Sequence, residues 1–256
     1  MGDLAPMRLE PGEPAAGAWR AVGVAALLDE LLPSADVAAV GAGVGDGPTR
    51  TRVLAVDGRG GAGKSTLAAR LAAVVPGAVV VHTDDLAWHE PFFAWGHLLE
   101  ELLDAVARGD AVAFRPPAWE PRGRDGHVVV PARTPLVVVE GTGAALATRG
   151  GRADATIWVQ VDAPEAERRG IARDVAEGAN GDLAAATAFW HEWSAAERTF
   201  VDELRPWDLA DVVVAGTPVL ALDGDDLAVG RILLADERPG LPGPGDRGWV
   251  GRRRTP

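Results

Sequence analysis

The sequence predicts an α/β fold, a five-stranded parallel sheet with helices on both faces. Three observations carry this. Short apolar runs recur without polar alternation, as strands covered on both sides require. Between them lie longer stretches whose apolar residues fall at helical spacing. A glycine-rich turn separates the first strong run from the helix after it.

Residues 1–18 are rich in Pro, Gly and Ala and read as a loose arm. Trp19, Val22, Ala26, Leu27 and Leu31 place an amphipathic helix over 19–32, stopped by Pro33. Residues 41–50 read as a linker. The first strand covers 53–57, and Leu67, Leu71, Val74 and Val75 mark a helix ended by Pro76 and Gly77. A second strand follows at 78–81. Leu98, Leu99, Leu102, Leu103 and Val106 form a helix closing at Gly109. Strands at 136–139 and 156–161 precede a charged helix over 164–177. A longer helix over 182–204 carries Phe189, Trp190, Trp193 and Phe200 as its apolar stripe, and a fifth strand covers 212–214. From about Glu237 the chain is again broken by Pro and Gly and finishes on Arg252, Arg253 and Arg254, a solvated tail. The expected division is therefore an arm with one helix at 1–50, a domain at 51–220, and a partly flexible extension at 221–256.

The 256 residues are 47% apolar and 24% charged, a globular composition. No run approaches the ~18 apolar residues of a membrane span. The first fourteen residues lack the basic start and apolar stretch of a secretory leader, so a cytoplasmic location is expected. No cysteine is present, which excludes disulfides, thiolate metal sites and cysteine nucleophiles. The net charge of -12 argues against nucleic acid or anionic lipid as a partner. Lys64 is the single lysine of the chain. A guanine-specific Asn-Lys-x-Asp motif downstream is therefore impossible.

That lysine stands in Gly58-Arg59-Gly60-Gly61-Ala62-Gly63-Lys64-Ser65, followed by Thr66, a complete G-x-x-x-x-G-K-[ST] phosphate loop. It follows a strand and opens a helix, the context in which backbone N–H groups and the helix N-terminus face phosphate oxygens. The fold expected is thus a P-loop NTPase, with residues 58–66 binding ATP. Lys64 would reach the β- and γ-phosphates and Ser65 would ligate Mg²⁺. Gly58, Gly60 and Gly63 also fit the G-x-G-x-x-G dinucleotide fingerprint, with Asp84 where a ribose-binding acid would stand. The lysine at the position the phosphate loop demands favours ATP over a nicotinamide cofactor.

Ligands of open α/β sheets bind beyond the carboxyl ends of the strands. Asp57, Asp84, Asp85 and Glu140 all fall there. Asp84 and Glu140 are candidates to hold the metal with Ser65, or to orient an attacking hydroxyl. Trp88, Phe92, Phe93 and Trp95 cluster just after Asp84 and either wall an acceptor or pack as core.

In these motifs the chain resembles the uridine kinase-like branch of P-loop kinases, which includes phosphoribulokinase and one type of pantothenate kinase. The resemblance runs from about Val53 to Gly216. His82-Thr83-Asp84-Asp85 is similar to the family's Asp-Asp motif, which implies Asp84 as the base toward the acceptor hydroxyl. Pro117-Ala118-Trp119-Glu120 resembles the acceptor-binding Pro-x-Tyr-Asp segment, Glu140-Gly141 the family's Glu-Gly, and Asp211-Val212-Val213-Val214 its last core strand. Arg169, Arg173 and Asp174 look like the lid helix whose arginines contact ATP phosphates. The resemblance implies Lys64, Asp84, Arg169 and Arg173 as catalytic, and Asp84, Asp85, Trp119 and Glu140 at the acceptor. Three features depart from the family. Trp119 replaces the tyrosine, Arg122 and Arg124 stand where a histidine is usual, and a later lid arginine is absent from Glu177-Gly178-Ala179-Asn180.

The function expected is transfer of the γ-phosphoryl of Mg-ATP to a hydroxyl of a small molecule, with a nucleoside such as uridine or cytidine as first candidate. The competing class is an ATP-binding regulatory ATPase without a small-molecule acceptor. Paired Glu165 or Glu177 is the plain surface alternative for the two lid arginines.

Overall fold

The computed structural model describes residues 6–33, 50–178 and 180–232. Its elements run β1 (Ala16–Gly23), α1 (Val24–Leu31), β2 (Arg52–Gly58), α2 (Lys64–Val74), β3 (Val79–His82), α3 (Thr83–Ala87) and α4 (Gly96–Ala107). There follow β4 (Val112–Phe114), β5 (Val128–Val130), β6 (Leu136–Glu140), α5 (Leu146–Arg149), β7 (Ala155–Gln160) and α6 (Ala163–Glu177). The last are α7 (Leu183–Leu204), α8 (Pro206–Leu209), β8 (Val212–Ala215) and β9 (Asp226–Ile232).

The main sheet has seven strands rather than five, in the order β1-β9-β8-β7-β2-β6-β3. The five expected strands form its parallel part, β8-β7-β2-β6-β3. The two additional strands extend one edge, β9 antiparallel to β8 and β1 antiparallel to β9. β1 occupies the segment whose pattern suggests an arm and the start of a helix. The helix itself begins only at Val24, and Trp19 and Val22 belong to the strand. Helical spacing misleads there because the partner that makes this segment a strand lies at the other end of the described chain. A separate antiparallel pair, β4 with β5, fills the stretch between the third helix pattern and the third core strand. The linker at 41–49 and the Arg-rich tail lie outside the described residues.

The parallel strands are buried on both faces, which is why their sequences do not alternate. Leu54 and Val56 of β2 point into one core with Leu67, Leu71, Val138 and Ile157. Val53 and Ala55 point into the opposite core with Val137, Leu99 and Leu102. Parallel pairing sets Val56 beside Glu140 and Glu140 beside His82, so the carboxyl ends of β2, β6 and β3 form one rim. Among the described residues no helix is long and apolar enough to cross a membrane.

Leu54 is wholly buried at the centre of one of these cores. Leu54→Ala is expected to lower unfolding stability by about 2–5 kcal/mol through lost burial and a residual cavity. Urea unfolding followed by circular dichroism measures it.

Candidate active site

The loop from Gly58 to Ser65 turns between β2 and α2 through two left-handed glycines, Gly61 (φ 71°) and Gly63 (φ 95°). α2 has no side-chain cap and no acid in its first turn. Gly63, Ser65 and Thr66 are exposed while Gly58, Arg59 and Gly60 are buried. The first turn of α2 therefore offers uncapped N–H groups to solvent, the environment an anionic phosphate seeks. Lys64 is buried, and its Nζ donates to the Arg59 carbonyl (2.8 Å) and to Thr142 Oγ1 (3.3 Å).

Asp57 is wholly buried and binds the turn after β6, accepting N–H groups from Gly58 (2.7 Å), Gly143 (3.0 Å) and Ala145 (2.8 Å). Burial pushes its carboxyl up to about 6 against those bonds and the Lys64 charge. Its role is to fix the Glu140-Gly141-Thr142 turn. Gly141 (φ 132°) is required there, because a Cβ would stand 1.8 Å from Thr83 Oγ1. That close approach joins the end of β6 to the start of α3, which carries Asp84.

Glu140 ends β6 and meets His82 Nδ1 from β3. Burial opposes its charge, but the His82 bond, the Lys64 charge and the Ser65 hydroxyl outweigh burial and hold it below the usual carboxylate range. His82 is raised, by that same bond first. The structure thus brings Ser65 and an ionised Glu140 together. Among the described residues no group of three or more acidic or histidine side chains could hold a metal ion. A hydroxyl and one carboxylate fit Mg²⁺ whose shell is completed by phosphate oxygens and water.

Asp84 is exposed and lines a cavity of about 40 Å³ together with Thr83, Thr142, Phe93, Trp95 and Trp193. Asp85, Trp119 and Glu140 do not line it. Asp85 is paired with Arg124, whose guanidinium lies 3.8 Å from the Trp119 ring centroid. Trp119 is buried in the core, and its Nε1 donates to the Asp85 carbonyl (3.0 Å). These three residues brace α3 from behind. Of the aromatic cluster, Phe92, Phe93 and Trp95 face the cavity, whereas Trp88 packs on His89.

Arg169 on α6 bonds Glu165 (2.7 Å) and the Gly216 carbonyl (2.8 Å). Gly216 touches the loop so closely that a Cβ would meet the Ala62 carbonyl at 2.3 Å, so Arg169 stands beside the loop. Arg173 pairs with Asp174 (3.1 Å), which also accepts from Asn180 (3.1 Å). Both arginines are thus engaged with neighbouring oxygens rather than free above the loop.

Sequence reasoning misses two buried acids. Glu197 on α7 accepts the Gly60 N–H (2.8 Å) and lies 3.2 Å from Thr142 Oγ1. Burial raises its carboxyl, opposed by the Lys64 charge and the Gly60 bond. It follows Trp190 and Trp193 on the buried stripe of α7, so a signal existed: an acid where the helical pattern calls for an apolar residue. Glu13, in the segment read as a loose arm, pairs with Arg59 of the loop (2.8 Å) and accepts from Trp158 Nε1 (2.9 Å) and Gln160 Nε2 (3.1 Å). No local pattern marks it.

No protein-family model matches the chain, and no curated protein matches it. Several solved structures are similar to it. The YGR205w protein aligns over 83% of this chain and 100% of its own, at 11% identity and a TM-score of 0.52. A protein of Silicibacter sp. TM1040, provisionally assigned as a fructose transport system kinase, aligns over 69% of this chain and 95% of its own, at 19% identity and a TM-score of 0.46. A protein of Bacillus stearothermophilus, provisionally assigned as a uridine kinase, aligns over 68% of this chain and 93% of its own, at 16% identity and a TM-score of 0.40. The likeness to the YGR205w protein is one of fold. With the phosphate loop between β2 and α2, the architecture is that of a P-loop NTPase.

Two outcomes test this geometry. A carboxyl raised in the folded state contributes stability that is complete below its unfolded value and lost as pH climbs through the folded one. Thermal melts from pH 4 to 7 should therefore show the Asp57 contribution falling away between about 4 and 6, and Asp57→Asn should remove that slope. Glu13→Gln leaves the buried Arg59 charge without its counter-ion and is expected to destabilise by about 3–5 kcal/mol, with much of the loss regained on adding Arg59→Met. Urea titration of the two single variants and the double variant reads the cycle.

Proposed function

We propose that this chain is a Mg-ATP-dependent small-molecule kinase of the uridine kinase-like branch. The observation that carries the reading is the position of Thr142. It touches Lys64 of the phosphate loop and also lines the cavity of Asp84, so the donor phosphate and the acceptor hydroxyl would meet across one side chain.

The residue roles follow from that adjacency. ATP supplies the phosphoryl group. The exposed first turn of α2 binds its phosphates, and Lys64 moves its ammonium from the Arg59 carbonyl onto them. Ser65 and Glu140 would hold Mg²⁺. Asp84 accepts the proton of the acceptor hydroxyl. Arg169 would exchange Glu165 and the Gly216 carbonyl for a phosphate, and Arg173 follows one helical turn later. Because the transition state spreads charge over phosphoryl oxygens, such positioning supplies most of the catalysis. Uridine and cytidine are the acceptors that the family resemblance implies. A cytoplasmic location accords with the use of ATP.

Mg-ATP turnover against a panel of nucleosides, sugars, amino alcohols and carboxylates tests the proposal. Acceptor-dependent ADP release should fall about 10²–10³-fold in Lys64→Ala. In Asp84→Asn it should fall about 10²–10⁴-fold. Slow ADP release that ignores every acceptor and is unchanged in Asp84→Asn would instead identify a regulatory ATPase.

A further inference from the structure

Asp84 and Glu90 both line the cavity. Among the described residues neither side chain has a hydrogen bond or an ion pair, in contrast to Asp85 and Glu140, which Arg124 and His82 occupy. Four aromatic rings complete the wall: Phe92, Phe93, Trp95 and Trp193. No lysine, arginine or histidine lines it. Arg124 does not line it either, and is held instead by Asp85 and the Trp119 ring.

The rings are fixed rather than loose. Phe93 stacks on Phe200 of α7 with centroids 4.4 Å apart and planes 10° from parallel, and Phe92 meets Phe189 edge to face at 6.3 Å. Aromatic faces with an unpaired carboxylate attract an organic cation and offer nothing to an anion. The size agrees. The enclosed part of the cavity is about 40 Å³, well below the ~300 Å³ of an ordinary small-molecule pocket, which suits a compact acceptor.

From this we infer that the phosphoacceptor is a compact amino alcohol, a hydroxyl compound carrying an ammonium or quaternary ammonium group. The inference rests on the kinase reading above and narrows its acceptor. The ammonium lies against Glu90 and the ring faces. The hydroxyl lies at Asp84. As the acceptor oxygen bonds to the γ-phosphorus, the bond from that phosphorus to the β–γ bridging oxygen breaks. ADP leaves with the bridging oxygen, and the hydroxyl proton passes to Asp84. Glu90 is a specificity residue and takes no part in the transfer.

The test compares acceptors matched in size and unlike in charge. Choline and ethanolamine are set against 1-propanol and glycerol, and against glycolate and glycerate, with ADP release read in Mg-ATP. The cations are expected to show kcat/KM at least about tenfold above their neutral counterparts, and Glu90→Gln to remove that advantage. Preferred transfer to a neutral or anionic acceptor overturns the inference while leaving the kinase reading intact. Absence of transfer to any acceptor counts against the kinase reading, and calorimetry then decides the site on its own. Choline binding in the presence of Mg-ADP, weakened by Glu90→Gln, supports a cation site. No choline binding to the native protein overturns it.

Discussion

The site depends on how the phosphate loop is held. Its left-handed glycines leave it little stiffness of its own, and the stiffness comes from elsewhere in the chain. Glu197 of α7 takes the Gly60 N–H. Glu13 takes the Arg59 guanidinium. The Ala166 carbonyl of α6 lies where any side chain on Gly61 would have to go, 2.2 Å from its Cβ position. An anion site built from backbone N–H groups works only if those groups are already aimed before the anion arrives, because aiming them afterwards would cost binding energy. The distant contacts supply that preorganisation. They also account for two acids buried beside a site meant for a phosphate: each is bonded to the loop itself.

The same contacts join the phosphate loop to the cavity beside Asp84. Trp193 packs on Gly60 so tightly that a Cβ there would lie 2.5 Å from the ring, and the same ring lines the cavity beside Asp84. One turn on, Glu197 holds the loop, and further along α7 Phe200 stacks on Phe93 of the cavity wall. A single helix therefore touches the loop and the acceptor wall through three side chains on one face. Any shift of α7 when phosphates bind would reach the cavity directly, without a chain of intermediates.

The sequence makes the middle of the protein legible and leaves the edges obscure, for a physical reason. Strands buried on both faces write themselves as uninterrupted apolar runs, and the loop needs glycines and one lysine at fixed spacing. Both signals are local. β1 is not local: AGAWRAVG becomes a strand because β9 pairs with it, and its own spacing suits a helix equally well. Glu13 is invisible for the same reason, since Arg59, Trp158 and Gln160 make it matter and all lie far along the chain. Trp119 shows the converse. Its position in the motif points to acceptor contact, while the Arg124 guanidinium and the Asp85 carbonyl hold it in packing. Motif position identifies the neighbourhood of a side chain, and only tertiary contact identifies its face.

The distribution of partners among the carboxylates bears on the choice between kinase and ATPase chemistry. Around the loop, Asp57 holds backbone N–H groups, Glu140 meets His82, Asp85 meets Arg124, and Glu197 holds Gly60. Each already has a partner within the chain. Asp84 alone in this group has neither a hydrogen bond nor an ion pair, and it stands at an aromatic wall. A hydrolase needs a carboxylate or amide in a wet place to orient water. Asp84 is exposed and so is Phe92 beside it, so a bound acceptor would itself have to displace water from the base. Excluding water is what a phosphotransferase must do to avoid spending ATP on hydrolysis. A carboxylate without a side-chain partner beside aromatic rings is the arrangement the transfer reading needs, and it bears on that reading more directly than the phosphate loop, which both chemistries share.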